Sequence, residues 1–249
     1  MKLIVFDLDD TLLNSKGEVT DRNKLAINKC SQLGMKIGYI TMRSARKMST
    51  FLQGLPCDCL ANYNGALIYA DHKLIQEHVI AYSNGINFIK QVTQLAPGVG
   101  ISAYFEPYCY KNHEIRSYIT QELLHYSLES APHHDFQRIR IFFNGYENID
   151  FSQYTSNDMN YQKFQHAALI THTKVDKGEA LKTIMNYFGI DKQDTISFGD
   201  HIIDIPMLLA SGSSVAMGNA VSELKDIADE ITLSNDEDGV ASYIYSHLL

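Results

Sequence analysis

Apolar and polar positions along this chain fall into short blocks whose period changes between the ends and the middle. Leu3–Phe6 is a run of four apolar residues, partly β-branched or aromatic, as in a strand buried on both faces. Behind Thr20, a capping residue, "DRNKLAINKCSQL" predicts a helix with Leu25, Ile27 and Leu33 as apolar positions and Gly34 as its stop. "KIGYIT" predicts the next strand. "SARKMSTFLQGL" predicts a helix with Ser44 as its cap. "CLANYNGALIY" predicts a strand, a turn at Asn64-Gly65 and a further strand.

From about Lys177 the same alternation returns. "KGEALKTIMNYFG" is a helix ending at Gly189, "TISFGD" a strand, and "IPMLLASG" a short helix with Pro206 in its first turn. "SSVAMG", "AVSELKDIA", "EITL" and "GVASYIYSHLL" follow as strand, helix, short strand and closing helix. The middle is richer in Tyr, His and Gln. It predicts a helix at "NFIKQVTQL", two strands around Pro107, a helix at "IRSYITQELLHYSLES" and a strand at "QRIRIFFNG". Strands alternating with helices imply a parallel sheet covered on both faces. The expected organisation is an α/β core from residues 1–82 and 169–249, with residues 83–168 inserted as an α+β module.

The 249 residues, 45% of them hydrophobic, are enough for a sizeable core. A formal net charge of -8 argues against a general affinity for nucleic acid or anionic membrane. It leaves room for an anionic substrate held by local cations. Cys30, Cys57, Cys59 and Cys109 form no CxxC pair and read as the reduced thiols of a cytoplasmic protein. The apolar run after Lys2 ends at Asp7, too early for a signal core. No stretch approaches the roughly 20 apolar residues of a membrane span.

The chemistry lies where the strands stop. Asp7, Asp9 and Asp10 crowd three carboxylates behind the first strand, and burial and like charge make that costly unless a cation sits among them. In a doubly wound sheet, ligands bind outside the carboxyl ends of the strands. Other strands end at Thr41 and Asp200, Asp204 follows one turn later, and Lys177 opens a helix. These residue types fit phosphoryl transfer. A carboxylate can attack phosphorus, and Mg2+ needs only two or three acids beside its waters. A lysine can offset the transferring charge, and a second carboxylate can move the proton.

The motifs "FDLDDTLLN", "ITMRS", "NYNGALI", "KGEAL", "SFGDHIIDIPML", "VAMGNA" and "DEDGVA" occur in that order. With them the chain resembles the haloacid dehalogenase superfamily, in particular its Cof-type sugar-phosphatase-like branch. The resemblance implies a Rossmann-like parallel-sheet core with an inserted cap domain that closes over the site, excludes water and contacts substrate. It implies Mg2+-dependent hydrolysis of a small phosphate monoester, a sugar phosphate or a phosphorylated cofactor, through an aspartyl-phosphate. Asp7 would be the nucleophile and a metal ligand. Asp9 would be the general acid and base and would give the metal its backbone carbonyl. Asp200 would be the third protein ligand and Asp204 would orient metal waters or Lys177. Thr41 and the Met42 N–H would hold phosphoryl oxygens, and Lys177 would neutralise Asp7 and the phosphate. Arg43, Asn64 and Gly65 are candidate substrate contacts.

The chain departs from the family pattern at three places. Met42 stands where glycine is usual and would be strained in a left-handed conformation. Ile203 stands where an asparagine is usual and cannot hydrogen-bond. Asp10 stands where glycine is common. Slower turnover or an altered substrate is the expectation. A phospho-ligand sensor that barely hydrolyses is the alternative, and a phosphomutase a weaker one. Plainer readings accompany several residues: Asn64-Gly65 is first a turn, and Arg43 could pair with a nearby acid. "SNDEDG" reads as a solvated acidic turn and His133-His134-Asp135 as a loop.

Overall fold

The computed structural model describes residues 2–44, 48–106, 108–112, 124–126 and 133–249. In chain order it begins with β1 (Leu3–Phe6), α1 (Asp21–Gln32), β2 (Lys36–Ile40), α2 (Met48–Phe51), β3 (Cys59–Asn62), β4 (Leu67–Ala70) and β5 (Lys73–Glu77). There follow α3 (Tyr82–Leu95), β6 (Gly100–Phe105), β7 (Tyr108–Lys111), β8 (Leu124–Tyr126), β9 (Arg138–Phe142), β10 (Met159–Lys163) and β11 (Ala167–His172). The chain closes with α4 (Lys177–Phe188), β12 (Thr195–Gly199), α5 (Ile205–Ala210), β13 (Ser213–Ala216), α6 (Ser222–Lys225), β14 (Glu230–Ile231) and α7 (Gly239–His247).

Two compact units result: Met1–Glu77 with Val175–Leu249, and His78–Lys174. These limits lie outside the expected 83–168 for a physical reason. Ile80 bridges to Phe136, and β11 pairs along its length with β9 and β10, so the flanking residues belong to the second unit's ladder.

The first unit is built on an eight-stranded sheet in the order β14-β13-β12-β1-β2-β3-β4-β5. From β14 to β3 the pairing is parallel, and β4 and β5 add an antiparallel edge. All four residues of β1 are fully buried, as their unbroken apolar run requires. The chain runs outward from β1 through β2 and β3 on one side, and later through β12 and β13 on the other. This makes the carboxyl end of β1 a topological switch point. The register places Phe6 beside Tyr39 and Phe198. Their rings lie 6.0 and 5.1 Å from that of Phe6, all three fully buried. This aromatic row fixes the relative heights of three strand ends.

Caps follow the sequence. The Thr20 hydroxyl accepts the Asn23 N–H at 3.2 Å and starts α1. Asp176 Oδ1 accepts the Gly178 and Glu179 N–H groups at 2.8 and 3.0 Å and starts α4. Gly189, left-handed at φ 62°, closes α4. The acidic segment Ser234–Gly239 proves to be a clasp. Asp236 accepts the Ser15 N–H at 2.8 Å, Asp238 accepts the Thr20 hydroxyl at 2.5 Å, and Asn235 donates to the Leu13 carbonyl at 2.9 Å.

The second unit carries a six-stranded sheet in the order β10-β11-β9-β6-β7-β8. Phe88, Ile89 and Val92 of α3 share a buried cluster with Ile101, Ala103, Ile139 and Ile141 of its central strands. The sequence pattern predicts no strand at β5, β10 or β11: "KLIQE" and "MNYQK" are edge strands without a buried face pattern, while "AALITH" is an internal strand whose short apolar run carries no turn signal of its own. The helix expected over 115–130 falls largely outside the described residues. Within it, Leu124–Tyr126 is a strand paired with β7, since sheet pairing outweighs helical spacing there. The expected "AVSELKDIA" helix is the single turn α6. His133 and His134 stack on Tyr82 and Tyr108 at 4.4 and 5.8 Å. The four cysteines are free thiols. Among the described residues, no helix is long and apolar enough to cross a membrane.

Asp176→Ala should lower stability by about 1 kcal/mol, the worth of an N-cap. Thermal unfolding should show a drop in Tm of about 2–4 °C for a chain of this size. An unchanged Tm would mean that the cap contributes nothing.

Candidate active site

Parallel strands that end at one level deliver their next residues to one edge. Asp7 follows β1, Thr41 follows β2 and Asp200 follows β12. The Asp7 N–H donates to the Phe198 carbonyl at 3.0 Å, and the Thr41 N–H to the Ala61 carbonyl at 2.9 Å. The ladder therefore continues into the site residues and leaves only their side chains free to turn toward a ligand.

Lys177, the first residue of α4, crosses to this edge. Its side chain is 1% exposed, and its ammonium donates to Asp7 Oδ1 at 2.6 Å and to Asp204 Oδ1 at 2.5 Å. Asp204 Oδ2 accepts the backbone N–H groups of Asp200 and His201 at 3.1 and 3.0 Å. Both Asp204 oxygens are thus spent on holding other groups. Gly199 makes this approach possible: a Cβ there would lie 2.6 Å from the Asp204 Cβ. Asp200 Oδ1 accepts the hydroxyl of fully buried Thr11 at 2.7 Å.

One ammonium faces three buried carboxylates, which leaves two negative charges uncompensated. Burial pushes the Asp7 carboxyl up to about 8, with Lys177 opposing the rise and Asp204 and Asp200 adding to it. Burial also lifts Asp200 to about 6, against the Thr11 hydrogen bond and with Asp204 and Asp10 assisting. Burial works against the Lys177 charge, but Asp204 and Asp7 outweigh it and hold the ammonium above its ordinary range. Asp7, Asp200 and Asp204 each offer an oxygen within 4.8 Å of the others. This buried, over-negative oxygen cluster fits a hard divalent cation in both charge and donor type.

The loop behind β2 forms the other wall. Thr41 is fully buried, and its Oγ1 accepts the Arg43 N–H at 3.1 Å, leaving the hydroxyl proton for another acceptor. Met42 is half-buried and is not among the described residues with positive φ, so the left-handed conformation that would strain it is not the one it adopts. Arg43 pairs with Asp9: Nε donates to Oδ2 at 2.8 Å and Nη2 to Oδ1. Asp10 is left-handed at φ 57°, which accounts for glycine at such a position, and aspartate tolerates it better than most residues.

Asn64 and Gly65 serve the turn. The left-handed Asn64 donates its N–H to the Thr41 carbonyl at 2.8 Å, and Gly65, at φ 105°, sits where a Cβ would lie 2.9 Å from that of Ala180 on α4. The structure therefore joins Asp7, Lys177, Asp200 and Asp204 directly, and it joins Thr41 to Asp9 through Arg43. It places Gly65 against a helix. Two contributors were given no role from sequence. Thr11 orients Asp200, and Asn219 donates to the Asp10 carbonyl at 2.7 Å. Both stand inside motifs quoted above, and only their partners, distant in sequence, reveal their use.

Residues 4–244 match the family described as haloacid dehalogenase-like hydrolase. The chain is 26% identical to Phosphatase YwpJ of Bacillus subtilis (strain 168), with both chains covered in full. It is 27% identical to the 5-amino-6-(5-phospho-D-ribitylamino)uracil phosphatase YwtE of the same organism, over 98% of this chain and 97% of that one. A solved haloacid dehalogenase-like hydrolase from B. subtilis matches the fold with a TM-score of 0.84 at 25% identity, both chains again covered in full. From its first strand to its last helix, this chain belongs to the haloacid dehalogenase-like hydrolases.

Proposed function

We propose that the protein is a Mg2+-dependent phosphatase that hydrolyses a small phosphate monoester through an aspartyl-phosphate on Asp7. The observation that carries this reading is the buried Asp7 carboxylate, held at 2.6 Å by Lys177 beside a carboxylate cluster in need of a cation. Relatives named as phosphatases support the reaction class, and one named for a phosphate on a ribityl chain supports a sugar-like or cofactor-like alcohol as leaving group.

Asp7, Asp200 and the backbone carbonyl of Asp9 would hold Mg2+. The bound cation would offset charge on the phosphoryl oxygens. Asp7 attacks phosphorus, and its Oδ–P bond forms as the P–O bond to the leaving alcohol breaks. The carboxyl of Asp9 hands its proton to the departing oxygen and becomes a carboxylate. Water then attacks phosphorus, Asp9 takes the water's proton, and the Asp7–P bond breaks to give inorganic phosphate. Lys177 keeps Asp7 aimed and balances its charge, while Asp204 keeps Lys177 in place. The Thr41 hydroxyl and the Met42 N–H would hold phosphoryl oxygens. Ile203, half-buried and without a hydrogen-bonding side chain, is the feature that favours slow turnover.

Phosphate release from a panel of sugar phosphates, pyridoxal phosphate and nucleotides should require Mg2+ and stop with chelator. Asp7→Asn should lower it by about a thousandfold or more. Metal-dependent ligand binding without release would instead establish the sensor reading.

The raised carboxyls set a pH dependence. A carboxyl whose folded value exceeds its unfolded one stabilises at low pH and loses that contribution as pH rises. Metal-free protein should therefore lose stability from about pH 4 to about pH 8, less steeply in Asp7→Asn. The Mg2+-induced rise in Tm should be larger at about pH 8 than at about pH 5. Equal shifts at both would place the cation elsewhere.

Ile203→Asn should raise kcat by about fivefold, the equivalent of one hydrogen bond worth about 1 kcal/mol. Unchanged turnover on good substrates would clear Ile203 of any cost.

A further inference from the structure

Asp9 reaches the site from an exposed, poorly constrained place. Its side chain is 52% exposed, and its backbone is extended (φ −67°, ψ 128°) within the turn that follows β1. A carboxyl there, on its own, would rotate between solvent and ligand. Arg43 removes that freedom. Its guanidinium grips both carboxylate oxygens, Nε on Oδ2 at 2.8 Å and Nη2 on Oδ1, in a planar fork that a lysine could not reproduce.

The fork is itself held still. Its guanidinium carbon lies 3.9 Å from the centre of the Phe51 ring. The Arg43 N–H donates to Thr41 Oγ1 at 3.1 Å. The Arg43 carbonyl accepts the Tyr63 N–H at 3.2 Å and Asn62 Nδ2 at 3.1 Å. Tyr63 makes its bond from φ 51°, a conformation that a bulky aromatic residue rarely adopts. Two strand ends and a strained turn thus converge on one arginine, and the arginine on one carboxylate.

We propose that Arg43 is a positioning residue that aims the Asp9 carboxyl at the leaving-group oxygen, without itself binding the phosphate. This rests on the reading of Asp9 as acid and base. Each carboxylate oxygen keeps a second lone pair beyond the one Arg43 uses, which leaves it a position for a further partner while gripped. Proton transfer to a departing oxygen is sensitive to angle and distance, and the fork fixes both. The role differs from the substrate contact that the sequence suggested for Arg43.

The leaving group supplies the test. An alkoxide must be protonated as it departs, whereas a nitrophenolate leaves without a proton. kcat and KM are measured with Mg2+ on glycerol phosphate and on nitrophenyl phosphate for wild type, Arg43→Met, Arg43→Lys, Asp9→Asn and Asp9→Asn/Arg43→Met. Both Arg43 variants should lose kcat/KM, which reports the step in which the alcohol departs, on glycerol phosphate by about tenfold or more beyond their loss on nitrophenyl phosphate. KM should stay within about twofold of wild type on both. In the Asp9→Asn background, Arg43→Met should add no more than about a further twofold. A raised KM with kcat retained would make Arg43 a phosphate contact and overturn the proposal. So would equal kcat/KM losses on the two substrates. An Asp9→Asn variant that fails to distinguish the leaving groups would overturn the acid assignment and this proposal with it. If Asp9→Asn distinguishes them and the Arg43 variants do not, the fault lies with Arg43 alone.

Discussion

Lys177 keeps its charge where water does not reach it: the side chain is 1% exposed and lies 2.6 Å from Asp7 and 2.5 Å from Asp204. A buried ammonium is tolerable only with such partners, and removing one partner of a buried pair costs about 3–5 kcal/mol. The constraint propagates outward. Asp204 must reach Lys177, so Gly199 must lack a Cβ. Lys177 must project from the first turn of α4, so Asp176 must cap that helix. Cations at that end of a helix oppose its dipole. A lysine placed there against the dipole is explained by the two carboxylates it serves.

The sheet sets the distances on which this depends. Phe6, Tyr39 and Phe198 occupy matching positions in three neighbouring strands, and the residues beyond them inherit that alignment. The site residues are not on long, adaptable loops. Each follows a buried strand or opens a helix, so its backbone is fixed by main-chain bonds before any ligand arrives. The exception is Asp9, whose carboxylate depends on Arg43 for its orientation.

Much of the first unit is legible in the sequence because its strands are buried on both faces and its helices carry ordinary caps. "LIVF", Thr20 and Gly189 act as their residue types require. The edge strands are not legible. Lys73–Glu77 and Met159–Lys163 carry mixed polar residues, since one face and one edge meet solvent. At the site, aspartates and a lysine stand out by charge and position alone. Thr11 does not, and for Arg43 the sequence suggests a nearby acid without saying that it is Asp9. Their meaning lies in partners 189 and 34 positions away, and no local pattern encodes that distance.

The clasp between the two ends of the chain bears on how the protein comes into being during synthesis. Asp7 meets Lys177 across 170 positions, Thr11 meets Asp200 across 189, and Ser15 meets Asp236 across 221. Such non-local closures are slow and come late. While the ribosome is still making α4 and β12, the nascent chain exposes β1 without its neighbour β12 and Asp7 without its lysine. The intervening unit, His78–Lys174, has its own sheet and buried cluster and emerges whole before then. Domains generally fold as units in order of emergence. Joining the two ends of the chain thus becomes the last event of folding, and a chain cut before α4 would leave Asp7 without Lys177 and Thr11 without Asp200 while keeping the insert whole.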